Sequence, residues 1–461
     1  MTKSPMPETI SVTPLDKPSD DSVGLLPGSV TGLPRALWGP TPTTRVAELL
    51  AATDAYTLPA LQALLYQILL AEVDPPTDAD GRGALFLARV DRLLDLGALD
   101  QAMALLQLAS VDHPETFRRW FDVALLLGEE DRACATMRDA PNVAPTFPAR
   151  IFCLARGGDW NAAALTLQTA RALGFVTAEE DALLARFLDP ELYEDEPPLP
   201  PPSRPSPLVW RMMEAIGEAV PTNTLPLAFA HGDLRSNTGW KAQIEAAERL
   251  ARSGALAPNR LLGLYDERKA AASGGVWDRV AAMQSFDKAL SAADPAGIAL
   301  TLPLVWDRMV TAGQEVIFAE LFGETLSRLS LDPDTSALAL RIGLLSSAYE
   351  AVALARVPAG AEEAFLIGLA RGSLAGTVPP DGMATAIVAG FTATEIPAEF
   401  SVMLEQGRLG EAILLASQRI SSGATGEVRL IGEGLAVLRK VGLEDVARRA
   451  ALELMLLDRR G

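Results

Sequence analysis

The chain reads as an all-α protein: a helical-repeat solenoid in two segments behind an extended, Pro-rich N-terminal arm. Three observations predict this. From Val46 to the C-terminus apolar residues recur at helical spacing, supplied mostly by the strong helix formers Ala and Leu. A local Leu–Gly–Ala pattern recurs at roughly the length of a helical hairpin. A dense run of prolines then divides the helical region in two.

Taken in order, residues 1–43 are rich in Pro, Ser and Thr and carry no sustained period, so they are expected to form an irregular arm. Residues 44–188 are expected to hold the N-terminal repeats. Here the pattern appears as "LDLGALDQA" (Leu94, Gly97, Ala102), "LLLGEEDRA" (Leu125, Gly128, Ala133) and "LARGGDWNA" (Leu154, Gly157, Ala162). Glycine ends a helix cheaply because it can adopt left-handed backbone angles. The acidic residue that usually follows suits the positive end of the next helix dipole, and the small Ala lets the second helix approach the first.

Residues 189–207, "DPELYEDEPPLPPPSRPSP", cannot be helical and are expected to form an extended acidic linker or strap. A Pro-rich ligand for a recognition module is the minor alternative, because "PPLPPPSRP" has suitable chemistry but occurs often in linkers. Residues 208–461 are expected to hold the C-terminal repeats, where the pattern returns as "LEQGRLGEA" (Leu404, Gly407, Ala412) and "LRKVGLEDVA" (Leu438, Gly442, Ala447). In the helix after Gly407, Ala412, Leu415, Ala416 and Ile420 share one face.

The glycine intervals 97 to 128, 128 to 157 and 407 to 442 are 31, 29 and 35 residues. These lie near the period of about 34 residues of a tetratricopeptide repeat. Over roughly residues 85–175 and 400–456 the units resemble degenerate tetratricopeptide repeats, without that family's Trp, Tyr and Pro positions in order. The resemblance implies a curved α-solenoid with an extended binding surface.

Composition narrows the functional classes. The chain has 461 residues, is 49% hydrophobic, and carries 59 acidic against 40 basic residues for a net charge of −19. That field repels phosphate backbones and anionic lipid heads, so nucleic acid and membrane surfaces are not expected as partners. No apolar run reaches the roughly 18 residues of a membrane span, so no direct membrane insertion is expected. The N-terminus "MTKSPMPETISVTPLDKPSD" lacks the apolar core of a secretory signal, which taken literally predicts a cytoplasmic protein. A processed or misplaced start is the other reading, since polar, Pro-rich extensions often follow a removed signal.

Two cysteines form neither a metal cluster nor a CxxC redox motif. Cys134 and Cys153 fall in successive predicted helices, where antiparallel pairing would bring them within disulfide range and imply an oxidising compartment. Two unrelated small core residues is the alternative reading.

Catalytic constellations are sparse. "HGDLRSN", from His231 to Asn237, resembles the catalytic loop of aminoglycoside-phosphotransferase-like kinases, which implies an Asp orienting the acceptor hydroxyl and an Asn holding magnesium. Asp233 and Asn237 are four apart, one short of that family's spacing, and the chain offers no Gly-rich phosphate cradle. A polar turn before a helix from about Thr238, with Asn237 or Thr238 as N-cap, is therefore expected. With only His113 and His231 in the chain, a Ser-His-Asp or Cys-His arrangement is nearly excluded and no His-based metal site is expected. His113, beside a Pro in "VDHPETF", reads as a loop residue.

In "AASGGVWDRVAAMQSF" the paired glycines break a helix and Trp277 to Arg279 begin the next. Trp277 and Arg279 are candidate partner contacts, because exposed aromatic and Arg side chains often anchor interfaces. Packing of Trp277 between helical layers is the competing reading. "GLPRALWGP" and "AASGGVWDR" weakly resemble uncharacterised alphaproteobacterial envelope proteins, which implies a periplasmic or envelope location and no activity.

The function expected from these features is non-catalytic: a scaffold or adaptor that binds another protein or complex, with no cofactor and no metal. The alternative is an enzyme or accessory acting on cell-wall glycan through acidic residues. Some lytic transglycosylases carry helical superhelices, but no segment here resembles their lysozyme-like catalytic unit. A close carboxylate pair, one with a raised pKa, would favour that alternative.

Overall fold

The recurring glycines end helices, and the helix pairs they join build the molecule. The computed structural model describes residues 19–109 and 113–457. Among the described residues the fold is all-α, without a β-strand; an isolated parallel bridge joins Leu26 and Ala71.

The chain opens with α1 (Gly28–Thr31), α2 (Thr43–Ala51) and α3 (Pro59–Leu70). Next come α4 (Ala84–Asp95), α5 (Leu99–Leu108), α6 (Pro114–Leu127), α7 (Glu130–Asp139), α8 (Phe147–Arg156), α9 (Trp160–Leu173) and α10 (Ala178–Leu188). Beyond the Pro-rich strap lie α11 (Pro207–Ala215), the single turn α12 (Ala230–Asp233), α13 (Trp240–Arg252), α14 (Pro258–Asp266), α15 (Val276–Ser291), α16 (Pro295–Ala312) and α17 (Glu315–Ser327). The last group is α18 (Pro333–Leu344), α19 (Tyr349–Ala355), α20 (Ala361–Ala370), α21 (Gly382–Thr392), α22 (Ala398–Glu405), α23 (Leu409–Thr425), α24 (Arg429–Lys440) and α25 (Glu444–Leu456). Sequential helices pack as neighbours, among them α4 with α5, α6 with α7, α8 with α9 and α23 with α24.

The Leu–Gly–Ala units are the pairs α4–α5, α6–α7, α8–α9, α22–α23 and α24–α25. Gly97, Gly128, Gly407 and Gly442 all have positive φ, and Ala102, Ala133, Ala412 and Ala447 five residues later are fully buried. The third unit is offset by one residue. Gly158, not Gly157, takes the left-handed conformation, and the buried small residue is accordingly Ala163 rather than Ala162. Asp159 then caps α9 by accepting from the Ala162 amide at 3.1 Å, which fixes where the helix starts.

The expected N-terminal arm is corrected from residue 19 onward; residues 1–18 lie outside the described part. Leu33, Leu37 and Trp38 are buried in the core, which an extended arm would leave in water. Arg89 of α4, itself fully buried, donates to the carbonyls of Leu69 (2.7 Å), Ala71 (3.0 Å) and Val23 (2.7 Å). The Asp21 carboxylate accepts from the Phe86 amide at 2.7 Å, near the start of α4. One cation thus satisfies carbonyls at the C-terminal end of α3 and in the N-terminal segment paired with it.

The two ends of the described chain meet. α3 packs on α25 and α2 on α23, with Arg45 paired to buried Glu411 and the Ala60 amide bound by Glu453. One hydrophobic core runs from Leu33 to Leu454. The strap at 189–207 marks a change of composition within that core: α11 packs on both α10 and α6, and Glu218 accepts from the Leu199 amide at 2.8 Å while pairing with Arg186.

Candidate interaction surface

Several of the sequence-derived candidates are engaged within the fold. His231 is buried in the single turn α12, its Nε2 within 2.7 Å of the Gly97 carbonyl, and desolvation holds the imidazole below its ordinary pKa. Asp233 accepts from the Thr222 hydroxyl. The helix that follows begins at Trp240 with Gly239 at its N-cap and no side-chain cap, so the expected caps Asn237 and Thr238 are not used. His113 sits exposed at the N-cap of α6.

Trp277 and Arg279 are engaged within the molecule instead of facing a partner. The Gly274–Gly275 turn brings the first turn of α15 back over α13, where Trp277 is half-buried against Trp240 with ring centroids 5.1 Å apart. Arg279 forms a two-pronged bond with buried Glu248, including Nε to Oε1 at 2.8 Å, and the Tyr265 hydroxyl donates to the same Oε1 at 2.8 Å. Burial, with the neighbouring Glu248 carboxylate, pushes the Tyr265 phenol well above its usual range. This cluster ties α13, α14 and α15 together. Without Arg279 the buried Glu248 carboxylate would lose its ion-pair partner and keep only the Tyr265 hydroxyl, so the guanidinium is committed within the fold.

Cys134 and Cys153 are joined by a disulfide, with Cα atoms 4.9 Å apart. The bridge spans the antiparallel helices α7 and α8. Between these helices runs a groove of 450 Å³, with Met137, Leu154 and the disulfide in its floor.

The neighbouring helix α9 exposes large apolar side chains that sequence reasoning missed. Ala163, Leu167 and Ala170 pack inward, yet Trp160 (50%), Leu165 (65%), Leu173 (61%) and, just past the helix, Phe175 (54%) remain exposed. Phe175 is held by stacking on Phe147 with centroids 4.8 Å apart. The other exposed positions of the helix between Trp160 and Thr169 are Asn161, Ala164, Gln168 and Thr169, none charged. In a chain with a net charge of −19, two large apolar side chains on an uncharged stretch, with Leu173 and Phe175 exposed beyond it, are a departure from an ordinary solvated surface. The signal was available: α9 is apolar on more than one face, which a helix at the edge of a single core does not need.

The carboxylates are disposed structurally. Burial raises Asp122 of α6 to about 6, with Asp91 of α4 as a nearby like charge. Asp91 is held by a two-pronged bond from Arg119 at 2.6 and 2.7 Å. Neither carboxylate lines the α7–α8 groove or the 740 Å³ cavity between α3, α17 and α25. No group of acidic, His or Cys side chains suited to a metal ion occurs among the described residues, and no described helix is long and apolar enough to cross a membrane.

Comparison with protein-family models, with curated proteins and with solved structures yields no match.

Proposed function

We propose that this chain is a non-catalytic, protein-binding scaffold: a degenerate tetratricopeptide-like solenoid that docks another protein or complex on the surface around α8 and α9. The observation that carries the reading is the set of large apolar side chains left exposed on and just past α9. Trp160, Leu165, Leu173 and Phe175 would leave water on docking, at about 25 cal/mol for each square ångström removed. Large aromatic and aliphatic side chains of this kind form the cores of protein interfaces. The five glycine-hinged helix pairs supply the rigid stack that would hold such a face in place.

The Cys134–Cys153 bridge supports an extracytoplasmic setting, the periplasm or envelope, because disulfides persist in oxidising compartments. The glycan-directed alternative gains little support: of the two carboxyls raised furthest beside a like charge, Asp122 has its neighbour Asp91 clamped by Arg119, and Glu453 is fully buried on the Ala60 amide with its neighbour Glu320 paired to Arg449.

Gel filtration of native-host extract tests the reading. The chain, 48.9 kDa alone, should elute in a larger complex, and Trp160→Ala with Leu165→Ala should return it to its own mass. Elution of the parent at 48.9 kDa under gentle lysis would count against a scaffold.

A further inference from the structure

The groove between α7 and α8 is lined by charged side chains of both signs around apolar ones. Asp131, Ala135 and Arg138 line one wall at helical spacing, and Arg150 and Gly157 line the other. Because the helices run antiparallel, the two ends of the groove differ. At one end Arg156 pairs with Asp131 at 2.6 Å and is neutralised. At the other, Arg138 from the last turn of α7 and Arg150 from the first half of α8 come to the same rim, both exposed, and neither makes an ion pair among the described residues. The floor between them is apolar. An uncompensated pair of guanidinium groups over an apolar floor is unusual in a chain this acidic, and guanidinium recognises carboxylate better than any other common anion-binding side chain does in proteins.

We propose that this groove binds an acidic peptide segment of the partner protein, one in which an apolar side chain sits beside carboxylates. The apolar residue lies on the floor at Met137 and Leu154, and the carboxylates meet Arg138 and Arg150. The disulfide fixes the spacing of the two walls, so the site exists before the peptide arrives. This proposal rests on the scaffold reading and adds the chemistry of the partner. Charge complementarity carries it: the −19 chain repels acidic peptides in general, and this rim reverses that field locally.

The test uses the full oxidised chain and two fluorescein-labelled peptides, one of Glu alternating with Leu and Phe, the other with Lys in place of Glu, read by fluorescence anisotropy. The acidic peptide should bind, more weakly as salt rises, and the Lys peptide should not. Arg138→Glu with Arg150→Glu should weaken binding at least tenfold, whereas Arg138→Lys with Arg150→Lys should lose much less. Both arginines are exposed, so an unchanged thermal melt should show that the variants fold. Equal binding of both peptides, no binding of the acidic peptide, or an unaltered affinity in the Glu variant would overturn the proposal. If the large complex in extract persists and depends on Trp160 and Leu165 while the peptide result is negative, the groove assignment falls and the scaffold reading stands.

Discussion

Replacing Glu453 by Gln should flatten the dependence of stability on pH. Glu453 lies on α25 with its carboxylate fully buried against the start of α3, each oxygen 3.0 Å from the Ala60 amide. Desolvation raises it from 4.5 to about 8, opposed by the Ala60 amide and Arg449 and assisted by the Glu320 carboxylate. A carboxyl whose folded pKa lies above its unfolded pKa holds more protons when folded. Its contribution is therefore most favourable below about pH 4.5 and is lost as pH rises towards 8. At about 1.4 kcal/mol per tenfold, the full loss is about 5 kcal/mol, of which about 3 to 4 kcal/mol falls between pH 5 and pH 8. Gln keeps an acceptor for the Ala60 amide and cannot ionise. Urea unfolding midpoints of parent and Glu453→Gln, measured across that interval, should diverge steadily, with the variant gaining on the parent as pH rises. Parallel curves would show that Glu453 does not titrate in this range, and a parent that gains on the variant would reverse the sign of the argument.

Three further perturbations address the fold. Cys134→Ser with Cys153→Ser opens a loop of sequence separation 19 and should cost about 3 kcal/mol in urea unfolding, with no further loss on adding reductant. Arg89→Met removes the donor to the Leu69, Ala71 and Val23 carbonyls and should cost about 3 kcal/mol or more, with new protease cleavage between residues 19 and 43 as the readout. Gly97→Ala forces a left-handed Ala whose Cβ would lie 2.7 Å from Leu250 and 2.9 Å from Leu227; a loss of about 2 kcal/mol or more in thermal or urea unfolding is expected.

Helical periodicity and the glycine hinges were readable from the sequence because both are local. A left-handed turn needs glycine and a close helix pair needs a small residue, and these recur at fixed spacing at Gly97, Gly128, Gly407 and Gly442. "RGGDW" held two glycines, and spacing alone could not say which would turn; the Asp159 cap decides for Gly158. The N-terminal segment was unreadable for a different reason. Its order comes from partners distant in sequence, with Arg89 reaching Val23 across 66 residues and Gly410 packing against Trp38, while its own composition is that of a coil. The meeting of α3 with α25 rests likewise on contacts nearly 400 residues apart, such as Ala60 with Glu453. Trp277 and Arg279 drew attention as an aromatic–Arg pair, but nothing local announces that Glu248 and Trp240 lie opposite. The excess of apolar residues around α9 was legible, but which of them stay exposed was not, since an exposed leucine looks the same in sequence as a buried one.

The most direct test of the scaffold account is site-specific photo-crosslinking in the native host, with a photoreactive residue at Leu165 and, as a control, at exposed Lys241. The account predicts one discrete adduct to another protein from position 165 and none from position 241. No adduct at 165, or the same diffuse adducts from both positions, would contradict it.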